Sequence, residues 1–292
     1  MVWKNIIILI FLVLINICFS YAKDLNIYFL DVGEGESTFI ETPKDHTILI
    51  DTGNLITGFK IFKFLKQKNI KKIDYLIITH PHPDHCGGVF EILQHFQVIN
   101  KFDNGENIKV NHCEDFYRWY GEIFRKGNYK ILRKGDKLKI DNVILDVLSP
   151  EKLNSNWNEN SLVIMVKFHK MKILLMADAN KNVENKLLKE NISLHADILK
   201  VGHHGAKDAT SEEFLKAVNP KYAIISINKN NIRGYPSKKV LNLLNKNGIS
   251  VLTTYDNGTI HCKLLRAYGQ NFYLGVKSHP EHLQEISCFT DK

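Results

Sequence analysis

A ten-residue stretch, residues 79–88, limits what this chain can fold into more than any other part of it. It reads Thr-His-Pro-His-Pro-Asp-His-Cys-Gly-Gly and follows residues 73–78, an apolar run with the length and β-branched content of a buried strand. Its polar side chains therefore emerge where a strand ends. Three histidines and one aspartate within six positions are hard to explain by packing alone.

The spacing within this stretch predicts metal binding. In a nearly extended loop His80 and His82 point to the same side and offer two imidazole nitrogens to one cation. Asp84 and His85 lie further round the turn, where they face a second cation. Imidazole and carboxylate together suit zinc, with manganese or iron as alternatives where carboxylates supply part of the ligand set. The simpler alternative is a histidine-rich surface loop that binds no metal.

Two later strand ends supply candidate ligands from the second half of the chain. Asp178 terminates an apolar strand and is predicted to bridge the two cations, the alternative being an N-cap for a helix over residues 180–189. Residues 196–202 run as another strand into His203 and His204. Adjacent side chains diverge at a strand end, so one imidazole binds metal while its neighbour faces the substrate. We assign the metal to His204 and a substrate or acid role to His203, with the reverse assignment left open.

Asp51 is a candidate supporting residue for the metal ligands. It follows an apolar strand over residues 47–50 and precedes Thr52 and Gly53. A carboxylate in such a loop can hydrogen-bond a neighbouring ligand loop and hold a ligand histidine in place. The equal alternative is an ordinary turn or helix-capping aspartate.

The N-terminal residues 1–22 have the features of a secretory signal peptide. One early lysine precedes an apolar run that is too short for an ordinary membrane span, and small residues precede the polar boundary. We predict export to the periplasm or the extracellular space with cleavage after Ala22, an uncleaved membrane anchor being the alternative. No later segment resembles a membrane span. The rest divides into one domain, residues 23–270, and a C-terminal tail, residues 271–292.

The chain is basic, with a formal net charge of +8 at pH 7 and an isoelectric point of about 9.0. Such a charge favours a polyanionic substrate such as DNA or a wall polymer. The alternative is a solvated lysine-rich face around a helix predicted over residues 57–67. Nothing in the sequence indicates a stable protein partner.

Four cysteines follow the predicted leader. An exported protein can oxidise them, but four cysteines allow three pairings and the sequence does not choose among them. The cysteine beside His85 is expected to be a buried free thiol. The four residues are Cys86, Cys113, Cys262 and Cys288.

Taken in order, the motifs of this chain resemble a known family. The stretch at residues 79–88 resembles the HxHxDH signature of the metallo-β-lactamase fold hydrolases. Six further segments occur in the order seen in the metallo-hydrolase domain of the ComEC/Rec2 competence proteins, and the similarity covers residues 24–265. The segments are residues 31–36, 49–53, 160–163, 177–178, 199–205 and 222–226.

The resemblance implies an α/β fold, the αββα metallo-β-lactamase-like sandwich, with two divalent metal ions on one edge. It also implies hydrolysis of phosphodiester bonds through a metal-bridged hydroxide, with DNA as a candidate substrate. Residues 23–270 would then form the hydrolase domain. The predicted metal ligands are His80, His82, Asp84, His85, Asp178 and His204, and catalytic roles are predicted for Asp84, His203 and Tyr235.

The chain departs from the family pattern at several positions. Glu34 and Glu36 stand where the family usually has Gln and Asp, and Ala206 stands where a serine commonly follows the two histidines. Tyr235 occupies a position that is often histidine, where it either donates its hydroxyl instead or signals a changed substrate. The third histidine that lactamases use at their first zinc site has no match, and residues 160–161, Asn and Ser, stand near its place.

The sequence therefore leaves three functions open. The first is an exported metal-dependent phosphodiesterase of the nuclease type. The second is another hydrolase of the same fold, such as a phosphorylcholine esterase or a lactonase, because a two-metal centre also suits those reactions. The third is a catalytically weak module that holds DNA or wall polymer on a basic surface. The reaction class rests on the resemblance more than on the metal chemistry.

Overall fold

Two β-sheets lie face to face in the middle of the protein, and helices cover the outer side of each. The computed structural model describes residues 24–107, 114–266, 272–278 and 286–288, so the predicted leader lies outside the described residues. The layers run helix, sheet, sheet, helix, and the αββα sandwich expected from the resemblance is confirmed.

The first sheet joins strands from both ends of the described chain. Its strands are β1 (Leu25–Phe29), β2 (Thr38–Glu41), β3 (Thr47–Ile50), β4 (Lys72–Ile77), β5 (Gln97–Asp103), β6 (Tyr129–Ile131), β14 (Ile260–Arg266), β15 (Phe272–Ser278) and β16 (Ile286–Cys288). Their order across the sheet is β16-β15-β14-β1-β2-β3-β4-β5-β6. The region expected as a C-terminal tail thus contains two strands, β15 and β16, that extend this sheet beyond β14.

The second sheet is built from the middle of the chain. Its strands are β7 (Lys137–Ile140), β8 (Val143–Ser149), β9 (Val163–Phe168), β10 (Met171–Leu175), β11 (Ile198–Lys200), β12 (Tyr222–Ile225) and β13 (Ser250–Thr253). They are arranged in the order β13-β12-β11-β10-β9-β8-β7. The hairpin of β7 and β8 and the pair of β9 and β10 are antiparallel, whereas β10 to β13 pair in parallel.

Helices connect the parallel strands and pack on the outer faces. They are α1 (Gly58–Gln67), α2 (Pro83–Cys86), α3 (Val89–His95), α4 (Glu114–Trp119), α5 (Lys181–Leu188), α6 (Glu212–Val218), α7 (Lys238–Lys246) and α8 (Thr254–Asn257). In α1 the buried residues Gly58, Ile61 and Leu65 recur every three or four positions, so one stripe faces the first sheet. Within the described residues, no helix combines the length and the hydrophobicity needed to cross a membrane.

The core between the sheets is apolar and closely packed. It includes Phe29, Ile77 and Phe102 from the first sheet and Ile164 and Ile224 from the second. Burying an aliphatic or aromatic side chain of this size contributes about 1.5–3 kcal/mol relative to exposure. The two sheets are therefore held in a fixed relation by their own side chains.

The parallel strands determine where a site can form. Strands β3 and β4 of the first sheet, and β10, β11 and β12 of the second, end at loops that meet along one rim of the sandwich, as the contacts described below show. Ligands of open α/β sheets bind outside the carboxyl ends of such strands. This rim receives residues from both halves of the chain.

Candidate metal centre

The structure brings the six predicted metal ligands together at this rim and divides them into two groups. Within each group the ligand atoms lie within 4.8 Å of one another. The first group comprises His80, His82 and Asp178, and the second comprises Asp84, His85 and His204. Four imidazoles and two carboxylates that are far apart in the sequence thus share one small volume.

Asp178 lies between the two groups. Its Oδ2 is 3.7 Å from Nε2 of His80 and 3.9 Å from Nδ1 of His82. Its Oδ1 is 3.1 Å from Nε2 of His85 and 3.5 Å from Nε2 of His204. Each carboxylate oxygen therefore faces one group, which is the arrangement of a bridging ligand.

The alternative role of Asp178 as a helix cap is excluded. The N-cap of α5 is Asn180, whose side-chain oxygen accepts hydrogen bonds from the backbone N–H groups of Asn182 and Val183. The backbone N–H of Asp178 is hydrogen-bonded to Oγ of Ser161 at 3.3 Å. The carboxylate of Asp178 is left free to face the histidines.

Asp51 orients two of the ligand histidines. Its Oδ2 accepts hydrogen bonds from Nδ1 of His85 and from the hydroxyl of Thr79, each at 2.7 Å. Because the single hydroxyl hydrogen of Thr79 goes to Asp51, the 3.1 Å contact between Thr79 Oγ1 and Nδ1 of His80 requires the ring to donate. Both rings therefore carry their hydrogen on Nδ1 and direct Nε2 toward the cluster. These contacts favour the supporting role of Asp51 over the turn or cap role.

His204 lies inside the cluster, and its neighbour His203 lies outside it. Nδ1 of His204 donates to the carbonyl oxygen of Ser226 at 2.9 Å, so Nε2 carries the lone pair and lies 3.5 Å from Oδ2 of Asp84. Both histidines have left-handed backbone, with φ of 47° and 51°. The left-handed turn separates the two rings, whose centroids are 6.5 Å apart.

The buried carboxylates demand positive charge at this point. Burial lowers the pKa of His80 well below its usual value, so this ring is neutral. Burial also opposes charge on His85, but Asp178 and Asp51 raise its pKa well above the usual value. Burial also opposes charge on His204, but Asp178 and Asp84 together outweigh it and raise the pKa. The imidazole nitrogens that face carboxylates are therefore places where a proton or a metal cation is bound.

The two ligand carboxylates stay ionised. Burial alone would raise the pKa of Asp84, but the close approach of His204 and the charge of His85 lower it. The pKa of Asp178 is held well below its usual value, with His85 and His204 again outweighing burial. Both groups can therefore serve as anionic ligands near neutral pH.

These donors fit a pair of divalent cations. Nε2 of His204 is buried and has no hydrogen-bond partner among the described residues, and it lies 3.5 Å from an oxygen of Asp84 and 3.5 Å from an oxygen of Asp178. Two acceptors that face each other are satisfied only by a cation between them. Mixed imidazole and carboxylate ligands suit zinc, manganese or iron. The chemistry of the residues thus agrees with a two-metal centre.

Close backbone contacts hold the loop that carries Asp84. Gly35 has a φ of 118°, and a Cβ there would collide with the carbonyl oxygen of Asp84. A Cβ at Gly88 would collide with the carbonyl oxygen of Thr52. The backbone N–H of Glu36 donates to the carbonyl oxygen of Asp84 at 3.0 Å. Glycine is required at these two points because the neighbouring backbones approach so closely.

Hydrogen-bond donors line the outer side of the cluster. Nδ1 of His203 is 3.1 Å from Oδ1 of Asp208, and its Nε2 is 3.3 Å from Nδ2 of Asn158. The ring of Tyr235 stands edge-on to His203, with centroids 5.6 Å apart. Burial raises the pKa of Tyr235, so its hydroxyl stays protonated and can donate. The structure thus places the two predicted substrate-facing residues side by side.

The structure adds residues that sequence reasoning missed. The ring of Trp157 lies 5.1 Å from that of His82, and Nη1 of Arg233 lies 3.8 Å from Oδ2 of Asp84. Both belong to loops whose place in the fold is set by distant contacts. The only sequence signal for Arg233 is its position two residues before Tyr235.

Asn160, which stands near the place of the missing third histidine, is hydrogen-bonded outside the cluster, whereas Oγ of the adjacent Ser161 accepts from the backbone N–H of Asp178. Nδ2 of Asn160 donates to Oε1 of Glu106 at 2.7 Å, and its Oδ1 accepts from the backbone N–H of Asn154 at 2.8 Å. Burial raises the pKa of Glu106, whose role the sequence did not suggest. This network holds residues 154–160 against Glu106, and it supplies no third imidazole.

Cys86 is a buried free thiol, as expected, and Cys262 is also free. Burial raises the pKa of the Cys86 thiol well above its usual value, so it is unreactive and is not a ligand of the cluster. Cys113 and the side chain of Cys288 lie outside what the structure describes.

Comparisons with known sequences identify relatives of the whole domain. The family model of the metallo-beta-lactamase superfamily matches residues 30–227. ComE operon protein 3 of Bacillus subtilis (strain 168) is 33% identical over 279 residues, which cover 89% of this chain and 35% of that protein. Recombination protein 2 of Haemophilus influenzae is 30% identical over 237 residues, covering 79% of this chain and 28% of that protein. The chain thus spans about a third of the length of these curated relatives.

Comparison with solved structures gives the same fold. The metallo-beta-lactamase fold protein YhfI from Bacillus subtilis superposes with a TM-score of 0.55 at 12% identity, covering 82% of this chain and 100% of that one. CmlA from Streptomyces venezuelae superposes with a TM-score of 0.51 at 12% identity, covering 80% of this chain and 53% of that one. Such low identities show the fold alone. The family model spans more than half of the chain and the relatives confirm the resemblance to the ComEC/Rec2 competence proteins, so this chain belongs to the metallo-beta-lactamase superfamily.

Proposed function

We propose that this protein is an exported metal-dependent hydrolase that cleaves phosphodiester bonds, with DNA as its substrate. The observation that carries the proposal is the position of Asp178, whose two oxygens face two separate groups of ligands. Held by these ligands, two divalent cations would activate a water molecule near neutral pH and would neutralise charge on a phosphoryl oxygen. Zinc suits the ligand set, with manganese as the alternative.

The residues around the cluster have separate roles in this proposal. Asp51 keeps the ring of His85 turned toward the cluster through their 2.7 Å hydrogen bond. His203 and Tyr235, which lie beside each other at the outer side, donate to the leaving oxygen. Asp208 holds Nδ1 of His203, so Nε2, which accepts from Asn158 in this structure, is the nitrogen that would carry the proton given to the leaving oxygen.

Two observations support DNA as the substrate. A third, the predicted leader, supports export. The curated relatives carry the names ComE operon protein 3, Competence protein ComA and Recombination protein 2, and the last names a DNA process. The formal net charge of +8 favours a polyanion. Export rests on the leader predicted over residues 1–22, and N-terminal sequencing of the secreted protein tests it, since an intact Met1 contradicts cleavage.

The test of the function is a pair of assays on purified protein with its metal content measured. We expect release of acid-soluble nucleotides from DNA and hydrolysis of bis-(p-nitrophenyl) phosphate, both abolished by a chelator and by Asp84→Ala. The surface variant Asp115→Ala, whose side chain is 89% exposed, is the matched control and stays active. Full activity of the Asp84→Ala variant would overturn the proposal.

The proposed donor role of His203 has a separate readout. p-Nitrophenolate is a good leaving group that needs no proton, whereas the alkoxide released from DNA does. His203→Ala is therefore expected to lower DNA cleavage by about 10²–10⁴-fold and to affect bis-(p-nitrophenyl) phosphate much less. Equal losses on both substrates contradict the donor role. Inertness toward both phosphodiesters together with turnover of a lactone or a phosphorylcholine ester assigns the protein to another hydrolase class.

A further inference from the structure

The guanidinium of Arg233 lies at the rim of the metal centre, and the proposed function assigns it no role. Arg233 lies on the loop between β12 and α7, with its Nη1 3.8 Å from Oδ2 of Asp84 and its Nε 3.5 Å from Oε1 of Glu34. Its side chain is 49% exposed, whereas that of Asp84 is 14% exposed. The guanidinium thus faces the cluster on one side and solvent on the other.

The loop that carries Arg233 is held in place at both ends. Nδ2 of Asn231 donates to the carbonyl oxygens of Asn228 and Tyr235, at 3.1 and 2.6 Å, and its Oδ1 accepts from the backbone N–H of Tyr235 at 2.8 Å. The backbone N–H of Ser237 donates to the carbonyl oxygen of Gly205 at 2.8 Å. The tip of the loop is therefore fixed relative to the histidine turn, and the position of Arg233 does not depend on an unrestrained segment.

The contacts of Arg233 with Asp84 and Glu34 indicate its role once metal ions are bound. Oδ2 of Asp84 also faces Nε2 of His204 at 3.5 Å, so this carboxylate belongs to the metal ligands. Two divalent cations held by these ligands would carry more positive charge than the carboxylates of Asp84 and Asp178 neutralise, which would weaken the attraction between Asp84 and Arg233. Glu34, 3.5 Å from Nε, would still hold the guanidinium, and its other N–H groups would then be available to an anionic ligand.

We propose that Arg233 binds the anionic oxygen of the phosphodiester substrate and thereby selects charged phosphodiesters over neutral esters. The planar guanidinium pairs with phosphate oxygens through two parallel N–H groups, which an ammonium does not reproduce. Arg233 approaches from the loop that also carries Tyr235, so the same loop supplies a charge for the phosphate and a hydroxyl for the leaving oxygen. This inference rests on the proposed phosphodiesterase function.

The first test compares substrates that differ in charge. With zinc-loaded protein, Arg233→Gln is expected to lower kcat/KM for bis-(p-nitrophenyl) phosphate by about 10- to 100-fold, because a charge-assisted hydrogen bond is lost. Turnover of the neutral ester p-nitrophenyl acetate is expected to change less than about twofold. Arg233→Lys keeps the charge but lacks the two parallel N–H groups. Its kcat/KM for bis-(p-nitrophenyl) phosphate is therefore expected to lie between those of the wild type and Arg233→Gln. Arg118→Gln, at an exposed position on α4, is the matched control and leaves both rates unchanged.

The second test does not depend on turnover. Fluorescence anisotropy measures binding of zinc-loaded protein to a short labelled thymidine oligonucleotide with phosphorothioate linkages, and to one with uncharged methylphosphonate linkages. Arg233→Gln is expected to weaken binding of the charged oligonucleotide about 10-fold or more while leaving binding of the uncharged one unchanged.

The outcomes separate this inference from the proposed function. A wild-type protein that hydrolyses no phosphodiester contradicts the proposed function. Unchanged binding of the phosphorothioate oligonucleotide by Arg233→Gln overturns the role of Arg233, whether or not the protein turns over phosphodiesters. An equal loss of binding for both oligonucleotides also overturns it, since that result shows a general disturbance of the site. Because Arg233 is half-exposed, its replacement is expected to leave the melting temperature unchanged, and this is checked first.

Discussion

At the scale of single residues, hydrogen bonds decide which nitrogen of each histidine is available. Asp51 and Thr79 take the Nδ1 hydrogens of His85 and His80, and the carbonyl oxygen of Ser226 takes that of His204. In all three rings Nε2 is left to face the carboxylates. An imidazole ring that is free to rotate or to change tautomer would lose that freedom when the metal binds, which costs free energy. These contacts fix the ring beforehand and remove that cost.

Asp51→Asn is expected to weaken the second group of ligands. An amide keeps the shape of Asp51 but removes the charge that supports His85, and its nitrogen cannot accept from both Thr79 and the ring. Metal affinity should fall about 10–100-fold, as it does when a partner of a metal-bound histidine is lost. Competition with a zinc indicator measures the affinity, with Asp115→Asn as the surface control. Unchanged affinity would show that Asp51 has no part in orienting His85.

The residues of the site differ in how far the sequence could predict them. The sequence predicts the four ligands of the metal loop because they are close together and follow a strand; they are His80, His82, Asp84 and His85. Asp178 is readable because a carboxylate after an apolar run is unusual. The sequence does not predict Trp157, Asn158 or Arg233. Their loops have no sequence pattern of their own, and only tertiary contacts bring these side chains to the rim.

At the scale of elements, one buried ion pair ties the two sheets together beside the site. Lys200 lies at the end of β11 in the second sheet, and its Nζ donates to Oε2 of Glu36 at 2.6 Å. The side chains of Lys200 and Glu36 are 0% and 4% exposed. Glu36 belongs to the turn between β1 and β2 in the first sheet, and its backbone N–H donates to the carbonyl oxygen of Asp84. The pair thus links the strand that leads to His204 with the loop that carries Asp84.

Lys200→Met is expected to destabilise the protein strongly. It leaves the carboxylate of Glu36 buried without its partner, which costs about 3–5 kcal/mol, whereas replacing both partners by apolar residues is often close to neutral. Urea unfolding of Lys200→Met, Glu36→Leu and the double variant measures the three free energies of unfolding. The double variant should recover most of the loss. If the two single losses simply add in the double variant, the pair does not act as a unit.

Elements were predicted best where periodicity is strong. The helix at residues 57–67 and the strand before the metal loop appear within a few residues of the expected positions. The strand expected over residues 196–202 is shorter, Ile198–Lys200, because the chain turns into left-handed backbone at His203. The strands β15 and β16 were not predicted, although β15 pairs with the preceding strand β14 and β16 pairs with β15, since the sequence there shows no clear alternation of apolar and polar residues.

At the scale of the whole molecule, the metal centre joins two parts of the chain that fold around different sheets. His80, His82, Asp84 and His85 follow β4 in the first sheet, whereas Asp178 and His204 follow strands of the second. Metal ligands of this kind are assembled only in the folded protein. Metal binding therefore stabilises the folded state by mass action, by about 2.7 kcal/mol when free metal is at 100 times its dissociation constant.

This stabilisation is expected to depend on pH in a definite direction. The pKa values of His85 and His204 are raised in the metal-free protein, where the charge of Asp178 acts against burial, so both rings bind protons more tightly than a free imidazole does and release them when a cation binds. Zinc affinity should therefore fall as pH falls, by about tenfold per pH unit for each proton displaced. Thermal melts of chelator-treated protein with and without added zinc, at several pH values, measure the shift in Tm. The Asp178→Asn variant, which lacks the charge shared by both groups, should show little shift at any pH. A zinc-induced shift that is the same size at pH 5.5 and pH 8, or that persists in full in Asp178→Asn, would show that the cation binds elsewhere and not between the two sheets.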